Sequence, residues 1–307
     1  MRMLIKYIGV DVAKLTLDVD LPSCPTVANT AEGIMSLLQG LPAGAHLVCE
    51  ATGGYEANLV ASAWAAGVPI SVVAPQRVRH HARSQGRLAK TDRLDARLLS
   101  DYAATHRPAP TRVPEPRRRR LRELLRARAQ LIELQKLEVN WQEHPGSHRL
   151  LAAQAQARTR LLDKQLQALE EAIRAEAAEP ALAEICSRLQ QVQGVGEVTA
   201  WTVVAELPEL GQLAPGQAGA MAGLAPHPRD SGRQRGKRYI QDGRAQLRRV
   251  LYMASIAASR HNPVLRIFYQ RLRSKGKPAK LALIAVARRL IELLNYIIKH
   301  PNFCLAS

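Results

Sequence analysis

Four prolines within nine residues, Pro108, Pro110, Pro114 and Pro116, cut this chain into two regimes of hydrophobic pattern. Proline ends regular structure, because it fixes φ and removes a backbone donor, so a cluster of this kind reads as a linker. Before it, apolar residues come in short runs. LIKYIGVDV (4–12) and the alternating LTLDVDL (15–21) read as hairpinned strands, and TVAN (26–29) as a possible third. HLVCEA (46–51) and PISVVA (69–74) read as buried strands, with helices expected at 30–41 and 55–67. Strands followed by alternating helix and strand predict a mixed α/β domain over 1–107. After the prolines, leucines recur at helical spacing on both sides of HPGSH (144–148), which predicts a helical hairpin or coiled coil over 108–180. Residues 181–307 read as a third, mostly helical region. It contains a Gly turn at 194–196, a loop rich in Gly, Pro and Arg at 214–237, and three helices after that loop.

Charge narrows the function. Of 307 residues, 44 are Lys or Arg and 26 Asp or Glu, a net +18 that points to a polyanionic partner. Arg outnumbers Lys 34 to 10, and the guanidinium fork matches phosphate geometry. With 47% hydrophobic residues the chain can bury real cores, which excludes wholesale disorder. Only 12 aromatic residues argue against reading single strands chiefly by ring stacking. Cys24, Cys49, Cys186 and Cys304 form no CxxC pair, so free thiols in a reducing cytoplasm are expected. Asp11 interrupts the first apolar run, so no secretory signal is expected. Gly67 and Pro69 split the uncharged stretch 57–76, which argues against a membrane span.

Asp11 closes one apolar strand and Glu50 another, while Asp92 and Asp95 in KTDRLDARLL stand three apart on one helix face. Such carboxylates can ligate a hard cation such as Mg²⁺, and a pair of such ions suits phosphodiester chemistry. Each can equally be a turn or cap residue, and Asp92 and Asp95 can pair with Lys90, Arg93 and Arg97. Glu56 competes with Glu50 but fits a helix start, and Asp18 and Asp20 fit the outward face of a strand. Farther on, Ser231-Gly232 lies among Arg229, Arg233, Arg235, Lys237 and Arg238. Cations beside a hydroxyl stabilise its alkoxide, so Ser231 can attack phosphate; a DNA-binding loop with an ordinary serine fits the same residues. His227 stands four residues before it, and Tyr239 and Tyr252 are rival nucleophiles. Gly194 and Gly196 flank Val195 before an apolar helix, a turn that resembles a helix-hairpin-helix phosphate site. Lys275, Lys277, Lys280, Arg288 and Arg289 border a Leu/Ile stripe and can hold nucleic-acid backbone or form a solvated face.

The succession VDVAK, CEATGGYE, KTDRLDARLL, then GLAPHPRDSGRQRGKRYIQDGRAQLRRVLYMA (223–254) and the ending at 275–300 resembles the DEDD transposases of the insertion-sequence 110 family. The resemblance implies an RNase H-like (RuvC-like) N-terminal domain whose Asp11, Glu50, Asp92 and Asp95 bind Mg²⁺, and a C-terminal transposase domain whose Ser231 links covalently to DNA. It further implies donor and target DNA as substrates, a bridge RNA as guide, and a homo-oligomer, dimer or tetramer, with a composite site whose acidic and serine halves come from one subunit or from two. Two other readings stay open on the residues: a metal-dependent nuclease of the Holliday-junction-resolving type in which Ser231 only binds, and a non-enzymatic nucleic-acid scaffold.

Overall fold

The computed structural model describes residues 5–23, 25–86, 92–111, 115–143, 148–227, 238–240 and 243–303, with the side chains of 92–94 excepted. The chain divides into two compact units, Met1–Val113 and Pro114–Ser307.

The N-terminal unit is built on one five-stranded sheet. In chain order it comprises β1 (Lys6–Val12), β2 (Thr16–Val19), β3 (Thr26–Ala28), α1 (Ala31–Gln39), β4 (Ala45–Glu50), α2 (Ala57–Ala65), β5 (Ile70–Val73), α3 (Pro75–Ser84) and α4 (Asp92–His106). The sheet order is β3-β2-β1-β4-β5. The first three strands form an antiparallel meander, and β4 and β5 run parallel to β1. The switch follows from connection length: short turns join β1 to β2 and β2 to β3, whereas a helix carries the chain over to each parallel neighbour.

Strand alternation sends the unit's side chains into two layers. Ile8, Val10, Val12, Leu17, Val19, Leu47, Cys49 and Ile70 pack with Ile34 and Leu37 of α1 and Leu59 and Ala63 of α2. The opposite parity places Val48 and Val73 against Val78 of α3 and Leu99, Tyr102 and Ala103 of α4, with Tyr7 packed beside them. Local chemistry sets the helix ends. The Thr30 hydroxyl accepts from the Gly33 amide at 3.3 Å and caps α1. Pro75 opens α3, where its missing N–H costs nothing.

Among its described residues the regular structure of the C-terminal unit is helical apart from a bridge between His227 and Tyr239. It comprises α5 (Pro116–Gln142), α6 (Arg149–Ala177), α7 (Pro180–Gln190), α8 (Glu197–Glu206), α9 (Gln217–Met221), α10 (Ala245–His261), α11 (Pro263–Ser274) and α12 (Ala279–Lys299). α5 and α6 form an antiparallel hairpin whose register is held by polar rungs. Arg120 reaches Glu176 at 2.8 Å, Arg128 reaches Glu170 at 2.7 Å, Gln135 donates to Asp163 at 2.8 Å, and Arg158 grips Glu138 with bonds of 2.7 and 2.9 Å. Only the base of the hairpin joins the core, through Leu121, Leu125, Ile173 and Ala177. Toward the turn, Leu134, Leu137, Trp141, Leu150 and Leu161 stay exposed, Trp141 by 66%. Below the hairpin, Trp201 and Val203 of α8, Leu251 of α10 and Leu290 and Leu294 of α12 belong to the same apolar cluster. Asn262 caps α11 by accepting from the Leu265 amide at 3.1 Å, with Pro263 at the first helical position. Among the described residues no helix is long and apolar enough to cross a membrane.

Candidate active site and nucleic-acid groove

The carboxylates of the N-terminal unit gather through strand register. Val10 of β1 pairs with Cys49 of β4, so the next residues, Asp11, one short of the end of β1, and Glu50, the last of β4, stand side by side on adjacent parallel strands. Across the antiparallel ladder Asp11 stands opposite Asp18. Asp11, Asp18 and Glu50 are half-buried and share the face that α4 covers. Asp18 thus lies on the acidic face rather than pointing to open solvent, and its carboxylate accepts from the Thr26 hydroxyl at 2.6 Å. Like charges opposed in a ladder repel, which a bound cation would offset.

α4 reaches this face because Gly9 lets it. A Cβ at Gly9 would stand 1.9 Å from the Ala96 carbonyl oxygen and 2.7 Å from the Leu99 Cβ. The Gly9 amide donates to the Ser100 hydroxyl at 2.7 Å. The helix is therefore docked, backbone to backbone, two residues before Asp11, and Asp95 sits immediately before the docking residue Ala96 and is half-buried. Asp92 is the first residue of α4, and its side chain lies outside the described residues. Among the described residues no three His, Cys, Asp or Glu groups come together closely enough to hold a metal. The donors in place are nonetheless all carboxylates, the hard-oxygen set that Mg²⁺ takes. A glycine inside an otherwise apolar strand is the sequence signal that marked this docking.

Glu56 has a different task. Its Oε2 accepts from the Thr52 amide at 3.2 Å, the Thr52 hydroxyl at 2.6 Å and the Gly54 amide at 2.9 Å. Burial pushes its carboxyl up, and these bonds outweigh that and hold it below the usual carboxylate range. It ties the loop that follows Glu50. Asn29 fastens the same rim, donating to the Ala13 carbonyl at 2.9 Å and the Tyr55 carbonyl at 3.2 Å. Under the rim, burial first, and the charges of Glu56 and Glu50 next, push the Cys49 thiol up to about 12. Deeper in the sheet, His46 Nε2 lies 2.8 Å from the Ser71 hydroxyl, and burial lowers its pKa.

In the C-terminal unit, Ser231 lies outside the described residues, as do Arg229, Arg233, Arg235 and Lys237. The base of their segment is described. His227 N donates to Tyr239 O at 2.8 Å, and Tyr239 N returns a bond to His227 O at 3.2 Å. Pro226, Arg238 and Tyr239 border an open groove of about 1260 Å³, which Lys277 also lines. Tyr252 is half-buried within α10. Gly194 takes φ +101°, and a Cβ there would meet the Ala258 backbone at 2.6 Å, so helix packing alone demands glycine. Gly196, at the N-cap of α8, has open space around it.

Two family models match the chain. One, described as a transposase of the DEDD type of IS110, covers residues 8–140, and the other, the transposase IS116/IS110/IS902 family, covers 186–270. The chain is 27% identical to the pilin gene-inverting protein of Moraxella bovis over 317 positions, 95% of each chain. It is likewise 27% identical to that of Moraxella lacunata, with the same coverage. An insertion element IS900 uncharacterized 42 kDa protein from Mycobacterium paratuberculosis is 36% identical over 91 residues, 26% of this chain and 22% of that protein.

Proposed function

This chain belongs to the IS110 family of transposases, enzymes of DNA recombination, and from that premise we propose that it cleaves, exchanges and rejoins DNA strands to excise and insert a mobile element. In this reading the N-terminal unit is an RNase H-like (RuvC-like) nuclease domain. The meander followed by two parallel strands supports it, in the order β3-β2-β1-β4-β5. The observation that supports the proposal is the strand pairing that sets Asp11 and Glu50 side by side, with α4, the helix that carries Asp95, seated on Gly9. Asp11, Glu50, Asp92 and Asp95 would hold Mg²⁺. When bound, the ion supplies charge stabilisation at the phosphate oxygens.

The chain's own residues do the rest. The Ser231 oxygen forms a bond to phosphorus while the bridging sugar oxygen leaves with a proton, and a strand's free hydroxyl later reverses the exchange. The number of phosphoester bonds is conserved, so rejoining needs no external energy source. Arg229, Arg233, Arg235, Lys237, Arg238 and Lys277 grip phosphates, and the Gly194–Gly196 turn offers backbone amides to the duplex without sequence choice. Sequence choice falls to a bridge RNA through base pairing. The exposed leucines toward the turn of the α5–α6 hairpin join protomers into a dimer or tetramer. That the Moraxella relatives are pilin gene-inverting proteins supports strand exchange over the cleavage-only alternative of a Holliday-junction-resolving endonuclease.

The test is to trap the covalent protein–DNA adduct and identify the attachment residue. Ser231→Ala should abolish the adduct and strand exchange, and Asp11→Asn or EDTA should abolish cleavage. Strand exchange that survives Ser231→Ala refutes the nucleophile assignment, and exchange indifferent to EDTA refutes the metal.

A further inference from the structure

The groove beside the Ser231 segment has a composition that phosphate binding alone does not explain. Its mouth carries six cations: Arg238, Lys275, Lys277, Lys280, Arg288 and Arg289. Among the described residues none of the six makes an ion pair. The acid on its wall, Glu292, is already occupied, its two oxygens accepting from the Gly216 amide at 3.1 Å and the Gly219 amide at 2.8 Å. Gly276 turns α11 into α12 at φ +74°, and Lys275 and Lys277 on its two sides both line the groove.

Beneath this ring the floor is apolar: Phe268 of α11, then Leu281 and Ile284 of α12. Leu281 is 47% exposed. The Arg289 and Arg271 guanidinium groups stand 4.8 and 5.4 Å from the Phe268 ring centre, which sets cationic charge directly against the apolar lining. A duplex backbone presents only phosphates and sugars, and an apolar floor gives it nothing. A base that has left its stack presents an apolar face attached to a phosphate, the same pairing of chemistries that the groove offers. The volume of about 1260 Å³ exceeds that of sites for drug-sized ligands, ~300–1,000 Å³, so it admits a nucleotide with its neighbours. Tyr239, bridged to His227, is part of the groove's lining.

We propose that this groove captures one unstacked nucleotide of single-stranded DNA, its base on Phe268, Leu281 and Ile284 and its flanking phosphates on the cations. The inference rests on the recombination reading above. With one aromatic ring in the floor, the base is held mainly by burial rather than by successive stacking, so one base contributes about tenfold in affinity, the low end of what a buried base is worth.

The test uses the full-length chain and fluorescein-labelled single-stranded DNA 12-mers, measured by anisotropy across a salt series. One base at a time is removed to leave an abasic sugar. The expected result is one position at which base removal weakens binding about tenfold with the salt slope unchanged, since no phosphate is lost. Leu281→Ser, at an exposed position, should weaken the intact strand by the same factor and flatten the scan. Lys277→Ala should instead reduce the slope by about 0.7. A flat scan with a steep salt slope overturns the base pocket and leaves nucleic-acid binding intact. A positional dip that survives Leu281→Ser also overturns it, as does equal affinity for the matching duplex or tighter binding of the matching RNA. Absence of any salt-dependent binding overturns both this inference and the reading it rests on.

Discussion

Gly9→Ala is the sharpest perturbation available, because it adds one methyl where α4 touches β1. The new Cβ would lie 1.9 Å from the Ala96 carbonyl, 2.7 Å from the Leu99 Cβ and 2.8 Å from the Ser100 amide. Two of these three are backbone atoms, so no rotamer change relieves the clash. Restoring an ordinary contact of 3.4 Å moves α4 outward by about 1.5 Å, and overpacking of this kind costs ~1–3 kcal/mol. The same shift lengthens the 2.7 Å bond from the Gly9 amide to Ser100 and displaces Asp95, on α4, relative to the sheet. Misplacement by about 1 Å lowers catalysis roughly 10²-fold. The expected outcome is a protein that melts several degrees lower yet stays folded at 25 °C, cleaves DNA about a hundredfold more slowly, and needs more Mg²⁺ for half-maximal activity. Gly33→Ala is the control. Its Cβ meets the Ala28 carbonyl at 2.2 Å, under α1 and away from the carboxylates, so it should destabilise without the activity loss. Wild-type cleavage by folded Gly9→Ala, or equal activity losses in both variants, refutes the claim that the α4–β1 contact positions the acids.

Three more outcomes follow from the polar and thiol groups. His46 is buried against Ser71 with its pKa lowered from 6.5 by burial. The unfolded chain therefore binds the proton more readily, and the contribution of this site, full above pH 6.5, is lost as pH falls through the lower folded-state value; thermal melts from pH 8 to 5 should show this, and His46→Gln should flatten it. The Arg158 hydrogen bonds hold the Glu138 carboxyl below 4.5, so this rung supports the hairpin above that pH and fails as acid protonates Glu138. Hydrogen exchange in α5 and α6 should report the loss, and Arg158→Ala should loosen the hairpin already at pH 7. Burial raises Cys49 to about 12 and Cys186 to about 11, so at pH 8 both should resist alkylation until the chain is unfolded, as peptide mass mapping can check.

Local pattern made most of the first unit legible. Alternation over LIKYIGVDV and LTLDVDL, and the apolar HLVCEA and PISVVA, located β1, β2, β4 and β5 to within about two residues at either end, because each strand's burial is written in its own period of two. Helix α3 was not legible. PQRVRHHARS offers only Val78 and His81 to the interior, too few apolar positions to declare a face. The short α9 was missed for the same lack of period, with Gly219 at its centre. In the candidate site, the residue types that suit metal and phosphate chemistry were visible in sequence. The role of Glu56 as a tie for the loop after Glu50, the position of Asp18 opposite Asp11, and the apolar floor beneath the Lys275–Arg289 cations were not.

By itself the sequence determined where β1, β2, β4, β5 and the long helices lie, the +18 surplus of basic charge, and the match to the IS110-type transposase models. Tertiary structure decided which of those segments share a face. Asp11 and Glu50 are neighbours because Val10 pairs with Cys49, and α4, the helix that carries Asp95, lies against β1 because Ala96 rests on Gly9. Register and helix docking are set by contacts between residues tens of positions apart, and those contacts leave no period along the chain. Secondary structure was therefore readable from short-range repeats, while the meeting of charges existed only once the layers had packed.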